Sequence, residues 1–209
     1  MNLSDELINS FVILWAVIDP IGTVPVFLAV TKNYDEVEKK KIAIFASLVA
    51  FVILVFFMFA GEVLLRKVGV PLAAFQTSGG IILFLFALNM IFGDSKPEEE
   101  LQLIKKTDKE TAVFPLAIPS IASPGAILAV VLLVEGSKSS FKSQMLTTFV
   151  MGLVLVINFI LMRASNFVQR KIGNSGAIVI SKVMGLILAS MAANNVLVGI
   201  KDFFRIGVN

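Results

Sequence analysis

Six apolar stretches, at about 7–30, 42–65, 71–92, 112–134, 144–163 and 177–200, punctuate the chain. Each approaches the roughly 20 residues that an α-helix needs to cross a bilayer. In hydrocarbon every backbone polar group must be paired within the protein, so runs of this length predict membrane-spanning helices. Composition agrees, with 57% of the 209 residues hydrophobic and 16% charged, too few charges to cover a soluble domain of this size. The expected fold class is an all-α membrane protein of six transmembrane helices. No histidine and no cysteine occur, which removes imidazole bases, imidazole ligands and thiolate chemistry from consideration. Asp5 and Glu6 precede the first apolar run where a cleaved signal would be basic, so that run is expected to stay as a helix.

The connecting segments are short and charged. The longest, 94–111, alternates acidic and basic residues like a solvated linker. Counting Lys and Arg on alternating sides places eleven in the first, third and fifth loops and six in the other loops and tail. The positive-inside bias then predicts a multi-pass protein of the cell (inner) membrane with both termini outside the cytoplasm. The formal charge of +3 is spread over these loops, a distribution that suits a bilayer partner and offers no track for a nucleic acid.

The chain also matches itself. A shift of 104 residues lays Pro20 on Pro124 and Arg66-Lys67-Val68-Gly69 on Arg170-Lys171-Ile172-Gly173. One residue further, Gly80 to Leu83 meets Gly185 to Leu188, while Ala87 and Asn89 meet Ala192 and Asn194. Residues 1–93 and 112–209 therefore read as two three-helix repeats joined by the 94–111 linker. Three is an odd number of crossings, so the second repeat enters the membrane in the opposite sense, as in many secondary transporters.

Two of the spans are interrupted, and the interruptions occupy matching repeat positions. The first contains Asp19-Pro20-Ile21-Gly22-Thr23-Val24-Pro25, and the fourth contains Pro119-Ser120-Ile121-Ala122-Ser123-Pro124-Gly125. Proline inside a helix lacks an N–H and collides with the preceding turn, so helices 1 and 4 should be broken near the midplane. Asp before Pro and Ser before Pro read as N-caps followed by the first helical position, predicting new helix starts at Pro20 and Pro124. Two such starts would present N–H groups and partial positive charge to an anion such as a carboxylate, while freed carbonyls and hydroxyls would suit a cation. The candidate substrate-binding residues are Asp19, Pro20, Gly22, Thr23, Pro25, Pro119, Ser120, Ser123, Pro124 and Gly125, with Asn89 and Asn194 as secondary contacts. Prolines that simply kink packed helices are the plainer alternative, and interhelical hydrogen bonding would also account for the two Asn residues. Asp19 is the deep carboxylate, whose roles as cap and as cation site are compatible. Lys182 lies close enough to the start of the sixth span to snorkel. Gln76 and Asn158 read as packing contacts.

These segments carry a resemblance. D-P-I-G-T-V-P-V-F (19–27), P-L-A-I-P-S-I-A-S-P-G-A-I (115–127) and G-L-I-L-A-S-M-A-A-N (185–194) resemble the MarC family of six-span inner-membrane proteins, also called the small neutral amino acid transporter family. The likeness runs essentially end to end. It departs at Ser123, where the family often has Gly. It implies transport of small neutral amino acids of the glycine and alanine class, linked to an ion gradient.

The expected function is thus secondary transport of such a solute by alternating access around residues 19–25 and 119–125, the two halves rocking about that site. A coupling proton or sodium ion is expected, and no other cofactor and no metal site. Export of amino acids or other metabolites and a channel are the alternatives, the latter lacking a charged filter ring. One deep carboxylate and no histidine argue against an intramembrane enzyme. A homo-oligomer is left open.

Overall fold

The computed structural model describes residues 3–32, 34–93, 112–136 and 141–204, and among them there is helix and no strand. The charged linker of residues 94–111 lies outside the described residues. In chain order the elements are α1 (Leu3–Ile18), α2 (Pro20–Val30), α3 (Glu36–Val68), α4 (Leu72–Phe92), a π-helical segment α5 (Ala112–Ile121), α6 (Pro124–Gly136), α7 (Phe141–Arg163) and α8 (Ser165–Phe204).

Five helical stretches are long and apolar enough to cross a membrane: Asp5–Val30, Glu36–Gly61, Ala73–Phe92, Gln144–Arg163 and Ser175–Phe204. The fourth expected span is not a continuous helix. Extended backbone at Phe114 and Ile118, and a cis Ile118-Pro119 bond, divide α5. The short apolar helix Pro124–Val134 then follows. Wide turns close α5, the N–H of Ala122 reaching the carbonyl of Ala117 at 2.9 Å.

Local chemistry sets several boundaries. Asp35 Oδ1 accepts from the N–H groups of Val37 and Glu38 at 2.8 and 2.7 Å, and Glu38 Oε2 accepts from the Asp35 N–H at 3.1 Å. This reciprocal capping box starts α3 at Glu36, six residues before the apolar run at 42. Gly69 follows the end of α3 with φ 73°, and Gly173 interrupts α8 with φ 68°. Both sit in the left-handed region that glycine occupies at low cost and that stops a helix. Lys182 Nζ donates to the carbonyl of Ile91 in the last turn of α4, where its charge complements the helix C-terminus.

Packing follows the rules of the bilayer, where close approach substitutes for a hydrophobic driving force. A Cβ on Gly80 would lie 2.8 Å from Val196 Cγ2 and 3.0 Å from the Ala192 carbonyl oxygen, and one on Gly185 would lie 3.1 Å from Ile91 Cγ1 and 3.2 Å from the Ala87 carbonyl oxygen. Early α4 thus meets late α8 and late α4 meets early α8, an antiparallel pair in near backbone contact. Gly125 of α6 lies against Phe86, and Leu128 and Leu132 lie against Gly79, so α6 runs opposite to α4. Short turns make α2, α3 and α4 alternate in direction, hence α2 and α6 also run oppositely. The α1–α2 span is the central one, 67% buried against 22% for the α4 and α8 spans. It packs on α6, α7 and α8, while α3 packs on α5, α6 and α7. The outer face of α3 carries Phe45, Leu48, Val52, Phe56, Phe59 and Val63 at helical spacing, all exposed for contact with lipid.

Candidate functional site

The chain between α1 and α2 turns at Asp19, a non-glycine residue with φ 49° and ψ 68°. Its backbone stays within the ladder: the Asp19 N–H reaches the Trp15 carbonyl and the Thr23 N–H reaches the Asp19 carbonyl, both at 3.0 Å. The side chain performs the capping expected before a proline, with Oδ1 accepting from the Gly22 N–H at 3.0 Å. Ser181 of α8 donates to the other carboxylate oxygen, Oδ2, at 2.7 Å. Asp19 is 5% exposed, so both bonds lie within protein. Gly22 makes the arrangement possible, because a Cβ there would fall 2.1 Å from Asp19 Oδ2 and 2.8 Å from Ser181 Oγ. The Thr23 hydroxyl donates to the Asp19 carbonyl at 3.0 Å.

The second break repeats this chemistry with a neutral cap. Ser123 Oγ accepts from the Ala126 N–H at 3.0 Å, and the Ile127 N–H reaches the Ser123 carbonyl at 2.9 Å. The same hydroxyl donates to the carbonyl of Val17, in the last turn of α1, at 3.3 Å. A carbonyl at a helix end lacks a partner further along its own helix, and Ser123 supplies one from the other break. The two interruptions therefore touch. In each first turn the proline has no N–H and the cap occupies the next-but-one, which leaves the amides of Ile21 and Gly125 as the remaining donors at the junction.

Pro20, Gly22, Thr23, Pro25, Ser120, Ser123 and Gly125 are buried around this junction, Pro119 is partly buried and Pro124 is exposed. The two Asn residues expected as secondary contacts are both exposed. Asn194 is exposed on α8, and Asn89 lies over the end of its own helix, its Oδ1 2.4 Å from where a Cβ on Gly93 would stand. Among the described residues three polar side chains carry buried atoms without partners: the hydroxyl of Ser120 in the second break, the hydroxyl of Ser47, and both ends of the Asn158 amide. Asn158 and Ser120 are fully buried. Such groups in a membrane interior are costly unless a water or solute pairs with them. An apolar cleft of about 310 Å³ between α3 and α7, beside Ser47 and Gly152, opens toward the lipid face. Its lining lacks the donors found at the junction.

Ser181 is the contact that the sequence does not announce, one of two hydroxyls in an apolar span. Asn158 has the same anonymity. What distinguishes them is the helix face they occupy, which only packing defines.

The profile described as "MarC family integral membrane protein" matches residues 4–204. Similar proteins include a UPF0056 membrane protein of Aquifex aeolicus, 32% identical over 95% of this chain and 94% of that one. The UPF0056 membrane protein YvbG of Bacillus subtilis is 33% identical over 96% of each chain. UPF0056 membrane protein PH0760 of Pyrococcus horikoshii is 34% identical over 96% of this chain and 99% of its own length. No solved structure matches the chain.

Proposed function

Since the chain belongs to the MarC family of integral membrane proteins, we propose that it is a secondary transporter of small neutral amino acids, of the glycine and alanine class, driven by a proton or sodium gradient. The observation that carries this reading is the contact between two capped helix breaks in the buried centre of the molecule, made by Ser123 to the Val17 carbonyl. Helix N-termini attract a carboxylate, and in this reading the amides of Ile21 and Gly125 receive it. An ammonium group would find the Asp19 carboxylate, the Ser120 hydroxyl and nearby carbonyls. Gly22, Ala122, Gly125 and Ala126 leave the wall of small residues that suits a substrate with little or no side chain. Asp19 is the deep carboxylate available to a coupling proton or sodium ion.

Alternating access needs two related halves, and the contacts support an inverted repeat over residues 1–93 and 112–209. Asp19 caps Gly22 as Ser123 caps Ala126, each pair 104 positions from its mate. Gly69 and Gly173, also 104 apart, share a positive φ. Gly80 meets Ala192 and Val196 where Gly185 meets Ala87 and Ile91, and a shift of 105 converts either set into the other. An antiparallel pair exchanged onto itself in this way is what a two-fold axis in the membrane plane produces. α5–α6 then form the sixth crossing, broken as the α1–α2 crossing is, with Leu116, Ala117 and Ser120 to Ser123 buried, as irregular backbone in a membrane requires.

The test is uptake of radiolabelled glycine and alanine into proteoliposomes under imposed proton and sodium gradients, for the wild type and Asp19→Asn. Saturable uptake that collapses in the variant is expected. Absence of uptake under every gradient would remove amino acids from the reading.

A further inference from the structure

The repeat symmetry is broken at one place. Asp19 and Gly22 of the first repeat lie against Ser181 of α8. The mates of Asp19 and Ser181 are Ser123 and, in the register set by the Gly80 and Gly185 contacts, Gln76 of α4. These two are apart. Ser123 donates to Val17 instead, and its neighbour Gly125 lies against Phe86, ten residues along α4 from Gln76. Gln76 is half-buried in an apolar span, and its amide makes no hydrogen bond among the described residues.

We propose that this structure is one end of a sliding cycle, and that Gln76 is the positioning residue of the other end. There Ser123 leaves Val17 and docks on Gln76, Asp19 leaves Ser181, and Ile21 takes up on Met191 the place that Gly125 now has on Phe86. The inference rests on the carrier reading and adds a direction and a distance to it. Ten helical residues at a rise of about 1.5 Å carry the junction roughly 15 Å along the α4–α8 pair, a travel that rocking around a stationary site does not require. The two ends use equivalent contacts, a carboxylate on a hydroxyl at one and a hydroxyl on an amide at the other. Each buries a polar pair that would otherwise face an apolar helix surface. The near backbone contact of α4 with α8 at Gly80 and Gly185 makes that pair the fixed rail. A junction displaced to one end of the rail opens to one side of the membrane, and displaced to the other end it opens to the opposite side.

The chain has no cysteine, so paired substitutions can be read without a background. In proteoliposomes, Gln76→Cys with Ser123→Cys, and Ile21→Cys with Met191→Cys, report the second state through oxidation. Asp19→Cys with Ser181→Cys, whose present side chains are hydrogen-bonded at 2.7 Å, reports the state described here. Thr77→Cys with Ser123→Cys tests the register, because it points about 100° away around α4. The expected result is disulfide formation in both second-state pairs and none in the Thr77 pair. A disulfide in the Asp19/Ser181 pair alone, or equal formation in the Thr77 pair, overturns the proposal. A separate measurement covers poor folding of the double variants. Gln76→Leu should lower the maximal uptake rate with KM little changed, and Gln76→Ser, which copies the mate Ser181, should restore it; an unchanged rate in Gln76→Leu overturns the assignment. Second-state disulfides without amino acid uptake by the wild type would sink the carrier reading and leave the sliding intact. Uptake without those disulfides would do the reverse.

Discussion

Gly22→Ala is a one-carbon test of the junction. The added Cβ would stand 2.1 Å from Asp19 Oδ2, 2.7 Å from Asp19 Cγ and 2.8 Å from Ser181 Oγ, so the carboxylate must swing away. Two interactions go with it. Loss of an N-cap costs about 1 kcal/mol, and loss of an interhelical hydrogen bond in a membrane protein costs about 0.6 kcal/mol. Alanine returns about 1 kcal/mol through its higher helix propensity. The net is a destabilisation of about 0.6 kcal/mol, together with an Asp19 carboxylate freed from its cap. Trp15 is the sole tryptophan and its carbonyl accepts from the Asp19 N–H, so its fluorescence reports this turn directly during thermal unfolding in detergent. A lowered midpoint is expected, with reduced glycine uptake. In a Ser181→Ala background the same substitution should cost less, because the shared hydrogen bond is already absent. An unchanged midpoint, or full additivity of the two substitutions, would refute the coupling of Gly22, Asp19 and Ser181.

Further outcomes follow from the same geometry. Gly80→Val should prevent α4 from seating on α8, since even a Cβ would lie 2.9 Å from the Val196 nitrogen, whereas Gly152→Ala should be tolerated, its nearest neighbour being 3.9 Å away; yield of monodisperse protein after detergent extraction compares them. Ser123→Ala should lower thermal stability by about 1 kcal/mol through the lost cap, and Ser123→Gly by only a few tenths. Equal losses in thermal unfolding would show that the Val17 contact, and not the cap, is the larger part of what Ser123 contributes.

Particular residues show how far local signals reach. Pro20 and Pro124 begin helices because neither can donate a backbone hydrogen bond and each follows a side chain that caps, a relation complete within four residues. The start of α3 was hidden for a related reason. Its capping box, Asp35 to Glu38, lies in the polar segment ahead of the apolar run, so hydropathy placed the boundary at 42. The fourth span is broken where its prolines predict, with a new helix starting at Pro124, but the irregular backbone begins earlier than that cluster, at Phe114 and Ile118.

Membrane character, helix number to within the broken fourth span, the positions of both breaks and the pairing of Gly69 with Gly173 were determined by the sequence alone. They depend on hydrocarbon length, on the missing N–H of proline and on the backbone freedom of glycine, all of which act over a turn or two. Tertiary structure alone decided that Ser181 meets Asp19, that Asn194 is exposed, and that Asn158 is buried without a partner. In water a polar side chain marks the outside of a helix. Inside a bilayer both lipid and protein present apolar surfaces, so a lone Ser or Asn carries no sign of the face it occupies until the helices have packed.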